Sequence, residues 1–132
     1  MFDLNSVSEL EAQKLKLVHP ETGALIGAEI ELAGANHPKR KALEFNRSRM
    51  LRARVAKKGR LELTDPAEDE EFEVDRLVAC TLSWSGIARD GKEIPCNAGE
   101  ARAIYESAAW IRKQAVAFLE DSANFLSSTK SD

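Results

Sequence analysis

Apolar and polar residues alternate over two short stretches near the start of the chain. The first stretch is 14–18, and the second, 25–32, has apolar side chains at every other position: Ile26, Ala28, Ile30 and Leu32. A period of two is typical of a strand with one buried face. Pro20 and Gly23 between the two stretches have the composition of a turn. The pattern therefore predicts an N-terminal β-hairpin, which needs support from another element because an isolated hairpin is marginally stable in water.

Helix signals follow the hairpin. Asn36 can cap a helix, Pro38 suits its first turn, and Gly59 suits the residue after its last turn. These signals predict a helix over 38–58 with a thin apolar stripe, so the helix should be largely exposed. Alternation resumes over 60–64 and predicts a short strand there.

A second helix start is marked by Asp65 as the cap, Pro66 at the first helical position and Glu68 three residues after the cap. Apolar and small residues then recur at spacings of three and four. The spacing predicts a helix over 67–87 with one buried face.

The third helical region follows a predicted loop over 88–96. Asn97 caps it, and its apolar residues recur at helical spacing over 98–126. The sequence leaves open whether this region is one helix or two with a kink near Ser107.

Taken together, the elements predict an α+β fold, a mainly helical single domain with an N-terminal β-hairpin. The domain is expected to cover 14–126. The preceding lead, 1–13, is polar, and is either frayed or a short helix over 7–13. The tail, 127–132, is polar and expected to be disordered.

The composition fits a globular domain and changes this picture little. The chain has 132 residues, of which 43% are hydrophobic and 31% charged. Its apolar runs fall well short of the ~20 residues of a membrane-spanning helix, and its first ten residues lack the features of a signal peptide. A cytoplasmic protein that does not engage a membrane is therefore expected, and the two cysteines, Cys80 and Cys96, are too few for a disulfide framework.

Candidate chemistry is sparse in this sequence. The two histidines, His19 and His37, both adjoin a proline in turn-like segments. Zinc-ligand spacing, phosphate-binding glycine loops and a nucleophile elbow are all lacking from the sequence. We therefore expect no enzyme activity, no metal and no cofactor.

The distribution of charge is the most informative feature. Ten of the nineteen basic residues lie between Lys39 and Arg60, whereas 62–75 holds eight acids and no base. The basic and acidic runs could pair within one molecule, or join copies head to tail into rings or spirals. A basic helix could also follow a phosphate backbone, but the net charge of −3 and the adjoining acids argue against nucleic acid.

Three groups of residues are candidate surfaces for self-association or for a partner. The first is basic and comprises Arg47, Arg49, Arg52, Arg54, Lys57 and Lys58. The second is acidic and comprises Glu68, Asp69, Glu70 and Glu71; its members also suit the first turn of a helix, where the dipole favours negative charge. The third is a terminal apolar patch of Phe125 and Leu126. Aromatic residues at helical spacing usually fill a core, Phe125 included, but the end of the last helix could instead be exposed and offer this patch to a partner.

The order of these signals resembles one known family. The signals come in this order: a hairpin with a Pro-x-x-Gly turn, a helix-breaking segment, a basic helix, an acidic helix leading into 82–86 (Leu-Ser-Trp-Ser-Gly), a loop and a closing helical region. The closing region carries Tyr105, Trp110, Ile111, Gln114, Phe118, Asp121, Asn124 and Phe125. The chain, from about 14 to 126, is similar to the tail assembly chaperones of long-tailed phages with non-contractile tails.

The resemblance implies a non-catalytic assembly factor in the cytoplasm of the bacterial host, absent from the mature virion. Such proteins coat the tape measure protein and recruit subunits of the tail tube. In many members a programmed ribosomal frameshift produces a longer minor form whose extension contacts the tail tube protein. The short tail, 127–132, would suit a product that ends just past a slip site.

Two other functions stay open at this stage. The basic segment 39–60 could make the protein a small nucleic-acid-binding regulator, although it is flanked by a hairpin and by acids rather than by a partner helix across a short turn. Alternatively, the chain could be a minor structural protein of the virion, such as a connector.

Overall fold

The computed structural model describes residues 1–59 and 65–128, and its elements in those ranges confirm an α+β fold. Two single turns of 3-10 helix, Leu4–Ser6 and Ser122–Phe125, accompany the main elements. The helices are α1 (Pro38–Lys58), α2 (Pro66–Cys80), α3 (Ala98–Ser107) and α4 (Ala109–Glu120). The strands are β1 (Val7–Glu9), β2 (Ala12–Val18), β3 (Leu25–Ala33), β4 (Thr81–Ser85), β5 (Ala88–Arg89), β6 (Lys92–Glu93) and β7 (Leu126–Ser128). The strand expected over 60–64 lies outside the described residues.

The predicted hairpin is present and forms two strands of a three-stranded antiparallel sheet. Strand β3 lies in the middle, between β2 and β4. Ile30 pairs with Leu15 on one side and with Trp84 on the other. The Ile30 side chain is 1% exposed, so the middle of the central strand lies in the core.

The helix expected over 67–87 ends earlier, at Cys80, and the prediction for its last residues is wrong. The helix ends before Thr81, whose backbone is extended (φ −80°, ψ 110°). Its amide and its hydroxyl both donate to the Leu77 carbonyl, the hydroxyl at 2.7 Å. The residues that follow, 81–85, are rich in strand formers and pair with the open side of β3. As a helix they would leave that side of the central strand unpaired.

The closing helical region consists of two helices, which settles the question that the sequence left open. The break falls at Ala108, whose backbone leaves the helical range (φ −111°, ψ 83°). The preceding Ser107 hydroxyl donates to the Ala103 carbonyl at 2.6 Å, so the last turn of α3 is closed by a side chain.

The N-terminal lead and the C-terminal tail pair with each other, which corrects both predictions for the chain ends. Strand β1 is antiparallel to β7, with Val7 opposite Ser128 and Glu9 opposite Leu126. The Leu10 amide extends this contact by donating to the Phe125 carbonyl at 2.7 Å. Segment 7–13 is therefore extended rather than frayed or helical, and the first two residues of the expected disordered tail belong to a strand.

The core lies between one face of the sheet and helices α2, α3 and α4. Its largest fully buried side chains are Tyr105, Leu17, Ile30, Leu32, Leu77 and Cys80. Helix α1 contributes one buried residue among its described positions, Arg40. As predicted, this long helix is largely exposed, and its surroundings define the candidate site.

Candidate partner-binding surfaces around the first two helices

Helices α1 and α2 both begin where the local signals predict, but the capping residue of α1 differs from the predicted one. Asp65 caps α2 by accepting from the Glu68 amide at 2.9 Å, as predicted. Helix α1 is capped by His37, whose Nδ1 accepts from the Lys39 amide at 3.1 Å, and not by Asn36. The Asn36 side chain instead donates to the Glu9 carboxylate.

Arg40 fastens the first turn of α1 to the domain. Its side chain is buried and donates to the carbonyls of Ala33 at 3.1 Å and Leu119 at 3.2 Å. It also forms a salt bridge of 3.2 Å with Glu44, which is bound in turn by Arg76 at 3.3 Å. Arg40 therefore belongs to the folded scaffold and does not contribute to an exposed basic surface.

The basic and acidic runs meet within one molecule. Arg54 binds Glu68 at 2.9 Å, and Arg47 binds Asp69 at 3.2 Å. The Arg47 guanidinium also lies over the Phe72 ring, 4.1 Å from its centroid. Because partly exposed ion pairs stabilise a fold by no more than about 1 kcal/mol each, these pairs set the position of α1 more than they stabilise the domain.

Three of the four remaining acids of α2, Glu70, Glu73 and Asp75, face arginines on α3 and α4. Arg112 lies 3.6 Å from Glu70 and 3.5 Å from Glu73, and Arg102 binds Asp75. The acidic run is thus largely neutralised by the chain's own cations. This outcome favours pairing within the molecule over an acidic face offered to the next copy.

The basic run, by contrast, keeps unpaired charge. Within the described parts of the chain, Lys41, Arg49, Arg52 and Lys57 have no acidic partner, and all four are exposed. Lys58, on the last turn of α1, is exposed but is not one of these unpaired cations. The excess charge around the two helices is therefore positive. Lys41, Arg49 and Arg52 lie on the outward side of α1, whereas Lys57, seven residues after Met50, lies on the side of the groove.

A groove runs between α1 and its neighbours, and we call it the α1–α2 groove. One part, a cavity of about 370 Å³, has Leu43, Met50 and Phe72 as its apolar lining, with charged residues Arg47, Arg54, Glu68, Glu71 and Asp75 around them. A second cavity of about 580 Å³ shares Leu43 and Asn46 with the first and reaches Val78, Leu82, Cys96 and Ala101. The two cavities are neighbours along α1, and together they present apolar and charged side chains.

The terminal apolar patch is only half present, because Phe125 is buried. Its ring is 6% exposed and meets the Phe118 ring edge-on, at a centroid distance of 5.4 Å. Leu126 is exposed, at 44%. The interpretation of Phe125 as a core residue is confirmed, and the alternative of an exposed Phe125 is wrong. The pairing of β7 with β1, which the local sequence does not show, accompanies this burial.

A second groove lies where the two chain ends meet, and we call it the C-terminal groove. This cavity of about 320 Å³ is lined by apolar Leu10, Ala35, Leu119, Phe125 and Leu126. Its lining also includes two carboxylates, Glu9 and Glu120, and two arginines, Arg40 and Arg76. Sequence reasoning missed this groove because its walls come from both ends of the chain.

The thiols and the buried tyrosine offer little reactivity. Burial raises the pKa of the Cys80 thiol to about 11. Cys96 is exposed as a residue, but partial desolvation of its thiol raises that pKa as well. Tyr105 is buried, its hydroxyl lies 2.6 Å from the Thr81 hydroxyl, and burial raises its pKa to about 12. Both thiols are therefore protonated at neutral pH, the form that does not act as a nucleophile.

Two further searches concern the described residues alone. In the ranges 1–59 and 65–128, no three His, Cys, Asp or Glu side chains are grouped so that they could hold a metal ion. In the same ranges, each helix is too short or too polar to cross a bilayer.

Comparison of the chain with protein-family models, with curated proteins and with solved structures gave no match. The two grooves and the cationic side of α1 therefore carry the functional argument together with the order of sequence signals.

Proposed function

We propose that this protein is a non-catalytic tail assembly chaperone of a phage or prophage, which binds a helical partner in the α1–α2 groove. The observation that carries the proposal is the state of α1. This helix has 21 residues, yet within its described positions it buries Arg40 alone. A helix that packs so little of its surface inside the fold leaves that surface for another molecule.

The groove suits a helix better than a small ligand. Helix α1 extends over roughly 30 Å at 1.5 Å per residue, and the cavities beside it follow its length. Leu43 and Met50, seven residues apart on one face, offer apolar contacts at the spacing that a docked helix requires. Charged residues along both sides would orient such a helix.

The partner under this proposal is the tape measure protein, which in the resembling family is long and largely helical. Many copies bound in a row would each contribute a weak contact, and the row as a whole would hold through avidity. A longer frameshifted form would then recruit the tail tube protein. The chain would act in the host cytoplasm and be left out of the finished virion.

A nucleic-acid-binding regulator is the second candidate, favoured by Lys41, Arg49 and Arg52, which have no acidic partner in the described ranges and lie on the outward side of α1. The net charge of −3 weighs against it, because a negatively charged protein is repelled by the phosphates that those cations attract. Titration with duplex DNA at about 50 and 200 mM salt separates the two: a phosphate-binding helix gives a steep salt dependence.

Co-expression tests the chaperone directly. The gene, with its downstream DNA and an N-terminal tag, is expressed together with the tape measure protein. The proposal predicts that the two proteins co-purify with several copies of this chain per partner, and that intact mass shows a minor longer form with the same N-terminus. Failure to co-purify, together with recovery of the chain from purified particles, would instead indicate a virion component.

A further inference from the structure

Helix α1 exposes one large apolar side chain between two cations. Phe45 is 57% exposed. Lys41 and Arg49, four residues before and after it, lie on the same face of the helix and have no acidic partner in the described chain. Phe45 therefore forms an apolar knob with a positive charge on each side.

The C-terminal groove has the complementary features. Its lining is mainly apolar, and its volume of about 320 Å³ is at the small end for a ligand pocket, enough for one aromatic side chain. Glu9 and Glu120 stand at the groove, and Glu120 is 64% exposed at its side chain. Arg40 is bound by Glu44, and Arg76 lies between Glu44 at 3.3 Å and Glu120 at 3.8 Å. Glu9, Glu44 and Glu120 thus face two arginines, so the net charge at the groove is negative.

From this match we infer that Phe45 of one copy, with Lys41 and Arg49 beside it, binds in the C-terminal groove of a second copy. The inference stands on the knob and the groove and does not require the proposed function. Met50, the other exposed large apolar side chain of α1, is a poorer candidate. Of its neighbours at four residues, Asn46 is neutral and Arg54 already binds Glu68.

The two surfaces lie on different parts of one chain. An apolar knob that fits a groove elsewhere on the same molecule makes a heterologous contact, which repeats from copy to copy. Each carboxylate–cation contact would also make the association sensitive to salt.

Sedimentation velocity of the purified full chain tests the inference without any partner protein. At about 50 mM salt the chain should associate as its concentration rises, and about 500 mM salt should weaken the association. Phe45→Ala should lower the association constant at least tenfold, whereas the matched control Ile26→Ala, at an exposed apolar residue of the hairpin outside both grooves, should leave it unchanged. A chain that stays monomeric throughout, or equal losses in the two variants, would overturn the inference.

Mixing and charge reversal test the pairing of the two surfaces. Phe45→Ala retains the groove, and Leu126→Asp retains the knob. Each should be monomeric alone, and the two should form a dimer when mixed.

Arg49→Glu and Glu120→Lys should each weaken association, and the double variant should regain most of it. A mixture that stays monomeric, or a double variant as weak as the single ones, would refute the pairing. Thermal unfolding of each variant checks that it is folded.

Discussion

The side-chain amide of Gln114 satisfies both backbone groups of Val18. Its nitrogen donates to the Val18 carbonyl at 2.8 Å, and its oxygen accepts from the Val18 amide at 3.0 Å. The amide thus replaces a neighbouring strand at the outer edge of β2, which closes that edge at one point and joins α4 to the sheet.

Gln114→Ala should lower the free energy of unfolding by about 1–3 kcal/mol, because it leaves a partly buried amide and carbonyl without partners. Urea unfolding followed by circular dichroism measures the change. Gln13→Ala is the matched control: Gln13 binds the exposed amide of the adjacent Lys14, and its removal should cost less than about 0.5 kcal/mol. Equal losses in the two variants would show that the Gln114 contact does not hold the edge.

Arg40 should matter far more than its position in a basic run suggests. Arg40→Met keeps an apolar stem but leaves the carbonyls of Ala33 and Leu119 and the Glu44 carboxylate without this donor, so we expect a loss of about 3 kcal/mol. Lys41→Met, at the next and exposed position, should change the free energy of unfolding by less than about 0.5 kcal/mol. A comparable effect at the two positions in urea unfolding would contradict the anchoring role of Arg40.

Alkaline pH should destabilise the domain. Burial raises the pKa of Cys80 to about 11 and that of Tyr105 to about 12, whereas in the unfolded chain these groups ionise near their ordinary values of 9.0 and 10.0. Between pH 9 and 12 the unfolded chain therefore binds fewer protons than the folded one, and stability falls as pH rises. The slope is at most about 1.4 kcal/mol per pH unit for each group.

The melting temperature between pH 8 and 11 measures this effect. Cys80→Ala should flatten the first part of the fall, and Tyr105→Phe should flatten the part above pH 10. Tyr105→Phe is also expected to lower stability at neutral pH because it loses the contact with Thr81. An unchanged slope in the double variant would show that other groups cause the alkaline loss.

The sequence predicted correctly those turns and helix ends that depend on one or two neighbouring residues. The turn of Pro20 and Gly23, the Asp65 cap and the Gly59 end of α1 all lie where the sequence places them, because each depends on the conformational preference of one or two residues. Strand β4 was missed since Leu77, Val78, Thr81 and Leu82 continue a helical spacing; the strand forms because β3 offers an open side.

Contacts between distant segments were not predictable in this way. The pairing of Val7 with Ser128 joins the two ends of the chain, and it decides that Phe125 is buried. The pairing of Arg47 with Asp69 could be anticipated from opposite charge on consecutive helices, which the sequence shows. The partnership of Arg112 with Glu70 depends on where α4 lies, and no local pattern indicates it.

Binding of a helical partner in the α1–α2 groove is the central claim, and a matched pair of variants tests it most directly. Met50 lies in the groove and is 40% exposed, while Ile26 lies on the hairpin outside it and is 42% exposed. The measurement is the amount of tape measure protein that co-purifies with Met50→Asp, Ile26→Asp and the unchanged chain at equal expression. The account predicts at least a tenfold loss for Met50→Asp and full recovery for Ile26→Asp. Equal recovery in both variants would contradict it.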